Sequence, residues 1–169
     1  MTINLIDKQF EFNLWANTDI IKLCKALSEE QLSVEAEGVF GRIKPLLIHT
    51  IGAEGWYISR STGQPNPAAD VDWDNISWDD LLKQAQISGQ GLVDTASGVE
   101  LKTRHIVDVD FQDDPIHFFN WTVLLQAILH GIEHRTQIKV LLTKLGVEHP
   151  DYSAWSYIES MQDEIVASQ

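Results

Sequence analysis

The residues able to do chemistry in this chain gather in Ala127-Ile128-Leu129-His130-Gly131-Ile132-Glu133-His134-Arg135-Thr136-Gln137. This run lies inside residues 115–146, which read as one long helix. Helical side chains advance by about 100° per residue, so positions four apart stack on one side. His130 and His134 therefore point the same way from neighbouring turns, with Gln126, Gln137 and Leu141 close to that line. Two imidazoles one turn apart suit a single metal ion, a spacing that helical zinc sites use. The pattern is not the zincin His-Glu-x-x-His, because Glu133 stands just before the second histidine and Gly131 follows the first. On this pair alone, two helix histidines that happen to share a face are the alternative.

A third histidine sits in Ile43-Lys44-Pro45-Leu46-Leu47-Ile48-His49-Thr50-Ile51-Gly52-Ala53-Glu54-Gly55-Trp56-Tyr57. Its face carries Leu46, Gly52, Ala53 and Trp56, and the small pair Gly52 and Ala53 lets a neighbouring helix approach. By itself, a histidine among apolar residues reads as a hydrogen-bonded core residue. Glu54 is five residues on, off the His49 face, and is not counted as a ligand. Asn17 interrupts the apolar stripe Phe10, Leu14, Ile21, Cys24 of an earlier helix and reads as a satisfied core hydrogen-bonding group. Cys24 reads as a small core residue rather than a metal-binding thiolate.

These residues need a scaffold. Apolar periodicity predicts helices over residues 5–27, 42–61, 78–96 and 115–146, with a short last helix over 153–164. Pro45 suits a first turn, Ser77 reads as an N-cap and Gly146 as a C-cap. Alternation at Thr103, His105, Val107, Val109 and Phe111 predicts a short extended segment. His105, His117, at the next helix start, and His149 read as ordinary surface or linker histidines. The aspartates of Asp70-Val71-Asp72-Trp73-Asp74-Asn75 resemble the start of a calcium loop. However, Asn75 and Leu81 stand where such a loop needs glycine and glutamate, so a solvated acidic loop is expected. Four long amphipathic segments make one all-α four-helix bundle, a single domain over residues 1–169. Such bundles build metal sites between facing helices. His49 and the His130/His134 pair then form a convergent set, and three histidines leave a fourth position open for water or substrate.

Composition removes several alternatives. The net charge of −13, with no offsetting Lys/Arg cluster, repels a phosphate backbone, so nucleic acid is not an expected partner. No apolar run approaches the roughly 20 residues that cross a bilayer, and no membrane association is expected. The first residues, Met1-Thr2-Ile3-Asn4-Leu5-Ile6-Asp7-Lys8, lack a basic segment followed by an apolar one, so no signal peptide is expected. A single cysteine, unable to form an internal disulfide, fits a cytoplasmic protein.

Leu14-Trp15-Ala16-Asn17, Leu47-Ile48-His49-Thr50-Ile51-Gly52-Ala53-Glu54 and His130-Gly131-Ile132-Glu133-His134-Arg135-Thr136-Gln137-Ile138 resemble, in that order, the DinB/YfiT-like metalloenzymes. The resemblance spans almost the whole chain. It implies an up-down-down-up bundle, often a homodimer, with one divalent metal on His49, His130 and His134. It also implies a metal-dependent transferase or hydrolase acting on a small molecule, since better understood relatives use mycothiol, bacillithiol or glutathione. A non-catalytic metal-binding or stress-related protein is the alternative. Many members have histidine where this chain has Glu133 and glycine where it has Thr136. Glu133, about 60° around the helix from His130, is near enough to hydrogen-bond a ligand or act as a base. Three imidazoles accept zinc or nickel first, with iron, manganese, cobalt and copper also admissible, and a low-molecular-weight thiol is the implied cosubstrate.

Overall fold

The computed structural model describes residues 4–107 and 115–167. Helix α1, Leu5–Lys25, starts where the Asn4 side chain accepts from the Ile6 N–H, and Lys22 and Lys25 face the negative end of its dipole. A single turn, α2 (Glu29–Leu32), is closed by a reciprocal Ser28–Gln31 capping box. Helix α3, Ile43–Thr62, stops at Gly63, whose φ of 70° is costly for any residue with a Cβ. Helix α4, Trp78–Gly98, begins at Ser77, which accepts from the Asp80 N–H, with Asp79 and Asp80 in the positive first turn. Strands β1 (Arg104–Val107) and β2 (Ile116–Phe119) pair antiparallel, Arg104 opposite Phe119. Helix α5, Asn120–Lys144, is followed by α6 (Ala154–Ser160) and α7 (Gln162–Ala167).

Contacts at the helix ends give the directions. Lys25, at the end of α1, pairs with Asp79 at the start of α4, so these two run antiparallel. Lys44 Nζ donates to the Ile76 carbonyl at 2.8 Å, which sets the starts of α3 and α4 side by side. Ile21 and Cys24 of α1 share a core cluster with Ile43 and Leu46 of α3 and with Leu141 and Leu142 of α5. Phe10, Tyr57, Leu92 and Val123 fill the other end. The bundle is therefore up-down-down-up. Its parallel α3–α4 pair requires the long crossover at residues 63–77, which carries Trp73 back over α3. There the Asp72 carboxylate accepts from both the backbone and side-chain N–H groups of Asn75, a self-contained acidic turn.

Two boundaries differ from the sequence reading. The fourth long helix starts at Asn120 rather than near Pro115, because Ile116–Phe119, rich in β-branched and aromatic residues, pairs with β1 instead. His117 is accordingly a strand residue, accepting from Arg104 at 2.7 Å. Val109, Phe111, Asp113 and Asp114, expected in the extended segment and its exit, lie outside the described residues, as do Met1, Thr2 and Ile3. The C-terminal helix divides at Met161 into α6 and α7. Among the described residues, no helix is long and apolar enough to cross a membrane.

Candidate metal centre

The bundle brings the three histidines together. His49 comes from the middle of α3 and His130 and His134 from successive turns of α5, the helix packed along α3. His130 Nε2 lies 3.0 Å from His49 Nε2 and 3.1 Å from His134 Nε2. One ligand atom from each ring falls within 4.8 Å of the other two. Four ligands about 2.0–2.1 Å from a tetrahedral ion stand roughly 3.3 Å apart, so the two separations measured from His130 are close to those of three donors on one divalent cation.

Charge and tautomer agree with that fit. Burial, reinforced by the neighbouring His134 and His49, holds the His130 imidazole down to about 4. Burial, with the His134 charge second, also lowers His49. Both rings are then neutral at neutral pH, the form that offers a lone pair to a metal. His134 is buried, and its Nδ1 lies 3.0 Å from Gln137 Oε1. A carbonyl oxygen only accepts, so Nδ1 carries the proton and Nε2 presents its lone pair to the cluster. Gln137 thus orients His134 from one turn above.

His49 and His130 line an open groove of about 510 Å³ whose other walls are Ile48, Gly52, Ala53, Trp56, Tyr57 and Trp73. The Tyr57 ring stands edge-on to His130, 5.8 Å between centroids. A second groove, about 490 Å³, lies between α1 and α6 against Leu5, Phe12, Tyr157 and Met161, and the three histidines are not part of its lining.

The chain matches the sequence profile of the DinB family over residues 1–165. It belongs to the DinB family. No curated protein matches it. In this DinB chain, the ligand-bearing helices are tied by polar groups buried directly beside the histidines. Glu54 of α3 accepts from Asn13 Nδ2 at 2.7 Å and Asn17 Nδ2 at 2.8 Å, and from the Ser88 hydroxyl of α4. Arg135 of α5, next to His134, donates through Nη1 to Asn13 Oδ1 at 2.7 Å and Asn17 Oδ1 at 2.6 Å. One cross-section therefore contains polar groups from all four long helices. Gly131 makes it possible, since a Cβ there would come within 2.7 Å of Asn13 Oδ1 and 2.8 Å of Arg135 Nη1.

Asn17 is thus the satisfied core group its position in the α1 stripe implied, and Glu54 stays out of the histidine cluster. What sequence reasoning missed is the network that joins Glu54 to Arg135 through Asn13 and Asn17. A signal was present. Leu47, Ile51, Glu54 and Ile58 are spaced 4, 3 and 4, as are Ile128, Gly131, Arg135 and Ile138 at 3, 4 and 3, so both charged residues fall within core stripes. Glu133 is exposed on α5, and its side chain makes no hydrogen bond to the cluster. His105 is not idle either. Its Nε2 meets Asn120 Oδ1 at 2.5 Å and fastens the hairpin to the start of α5.

Proposed function

We propose that this DinB protein holds one divalent ion on His49, His130 and His134 and acts on a small electrophilic molecule, as a thiol-dependent transferase or a hydrolase. The observation that carries the reading is the convergence of three imidazoles, two of which line an open groove. A dication bound by neutral ligands lowers the pKa of a thiol or water in the open position and so supplies a nucleophile near neutral pH. His49 and His130 hold the groove side of the centre, and Gln137 keeps His134 in its ligating tautomer. Trp56, Tyr57 and Trp73 limit water around the reacting group. Glu133, on the same helix, is the proposed proton acceptor through a bridging water. Zinc and nickel are the first candidates for three imidazoles.

A homodimer is proposed from the back of α5, where Trp121, Leu125, Leu129, Ile132 and Val140 form an exposed apolar stripe opposite the core face. The −13 charge supports small-molecule over nucleic-acid partners, and the lone cysteine supports a cytoplasmic setting. A purely structural or sensing metal site is the competing class, and an additional protein ligand closing the fourth position would favour it. The distinguishing experiment loads the protein with cobalt and adds low-molecular-weight thiols, activated esters and amides. Thiolate charge-transfer bands or metal-dependent turnover support the enzyme; neither, with cobalt bound, leaves metal binding without catalysis.

A further inference from the structure

One face of α3 continues beyond the histidine. His49, Gly52, Ala53, Trp56 and Arg60 recur at spacings of 3, 1, 3 and 4, a single line along the helix. At about 1.5 Å per residue, Trp56 stands about 10 Å and Arg60 about 16 Å along the axis from His49. The floor between them is low, because Gly52 has no side chain and Ala53 only a methyl. Trp73 from the crossover roofs this floor, its ring 3.7 Å from where a Gly52 Cβ would be. Trp56 is 48% exposed, its ring edge-on to Tyr57 with 5.4 Å between centroids and the rest of the indole open to the groove. The Arg60 guanidinium bends back over the Trp56 ring, 5.2 Å from its centroid. Among the described residues no carboxylate pairs with Arg60, although acidic residues outnumber basic ones by 25 to 12.

We propose that this line is the ligand-recognition surface of the centre. It takes a small elongated anion whose donor head reaches the histidines, whose apolar body lies over Gly52 against Trp56 and Trp73, and whose acidic end meets Arg60. The inference rests on the histidines holding a metal. It adds the shape and charge of what that metal would act on. A volume of about 510 Å³ suits a ligand of this size. In a chain of charge −13, an anion would otherwise be repelled, and the Arg60 guanidinium, which sits over the Trp56 ring at the edge of the groove lining, gives it one orientation.

The test uses the cobalt-loaded full chain titrated with three probes, mercapto-octanoate, mercapto-octanol and mercaptoethanol, followed by the thiolate–cobalt charge-transfer band. The expected order of affinity is the long acid, then the long alcohol, then the short thiol. Trp56→Ala should weaken both long probes about tenfold and leave mercaptoethanol unchanged. Arg60→Met should remove the advantage of acid over alcohol, about fivefold, without altering the alcohol. Both positions are at least partly exposed, so neither change threatens the fold. Cobalt bound with all three probes equal, or with both variants behaving as wild type, overturns the recognition surface and leaves the metal centre standing. Failure of cobalt to bind at the histidines overturns both.

Discussion

Glu54 and Arg135 are each only 3% exposed, sit on adjacent helices, and form no direct ion pair; the same two asparagines connect them. Asn13 and Asn17 each donate to the carboxylate and accept from the guanidinium, so each amide uses both of its polar ends. The carboxyl and the guanidinium face one another across two neutral residues, and the positive charge favours the ionised form of Glu54. Since His134 adjoins Arg135 and His49 lies five residues before Glu54, the arrangement fixes the helices that carry the proposed ligands.

Above about pH 7, where Glu54 is ionised, removing one charge leaves the other buried without compensation. Arg135→Met should therefore destabilise the protein by about 3–5 kcal/mol in chemical denaturation. An Asn17→Ala change, which breaks one bridge and keeps both charges, should cost less. Equal losses for the two variants would mean that the network does not act as a charge-balancing unit.

Glu54 should also leave a signature in the pH dependence of stability. Burial, only partly offset by Ser88, Asn13, Arg135 and Asn17, raises its carboxyl from 4.5 to about 7. Between those values the folded protein keeps a proton that the unfolded chain has released. Stability from this group therefore falls as pH rises through the window and levels off above about 7, with a slope of at most about 1.4 kcal/mol per pH unit. The depressed His130 works the other way, because the unfolded chain gains its proton first as pH falls. The Glu54 contribution is isolated by subtracting the profile of Glu54→Gln, and a flat difference across the window would refute it.

Cys24 is fully buried, and burial pushes its thiol up to about 12. Native protein should not react with a thiol-specific reagent on the timescale in which unfolded protein reacts fully. Rapid native labelling would show that the α1 core opens far more readily than its packing implies.

The exposed stripe on α5 predicts a mass of twice 19.1 kDa by light scattering. Leu125→Glu with Ile132→Glu should return it to the monomer, since both residues lie on the solvent side of the helix. A wild-type monomer at working concentrations would rule out the dimer.

The four long helices were legible because their apolar positions recur at helical spacing and their ends carry strong local signals such as Ser77 and Gly146. The start of α5 was not. Ile116–Phe119 continues an apolar pattern into the helix, and only pairing with residues distant in sequence reveals a strand. His49, His130 and His134 were legible as a set because two stand one helical turn apart and the third interrupts an apolar face. Their convergence depended on helix packing, which no single spacing encodes. Glu54 was legible as a non-ligand, but its bond to Asn13 spans 41 residues and that of Asn13 to Arg135 spans 122, so its partners appear only in the folded chain.

Titration of metal-free protein with zinc, wild type against His49→Ala, decides whether the three histidines act as one metal centre. His49 alone comes from the other helix and lies at the groove wall, so its loss leaves the α5 pair and the fold intact. Wild type should bind one zinc per chain, and the variant should bind it at least tenfold more weakly. Equal zinc affinity in the two proteins would contradict a three-histidine centre.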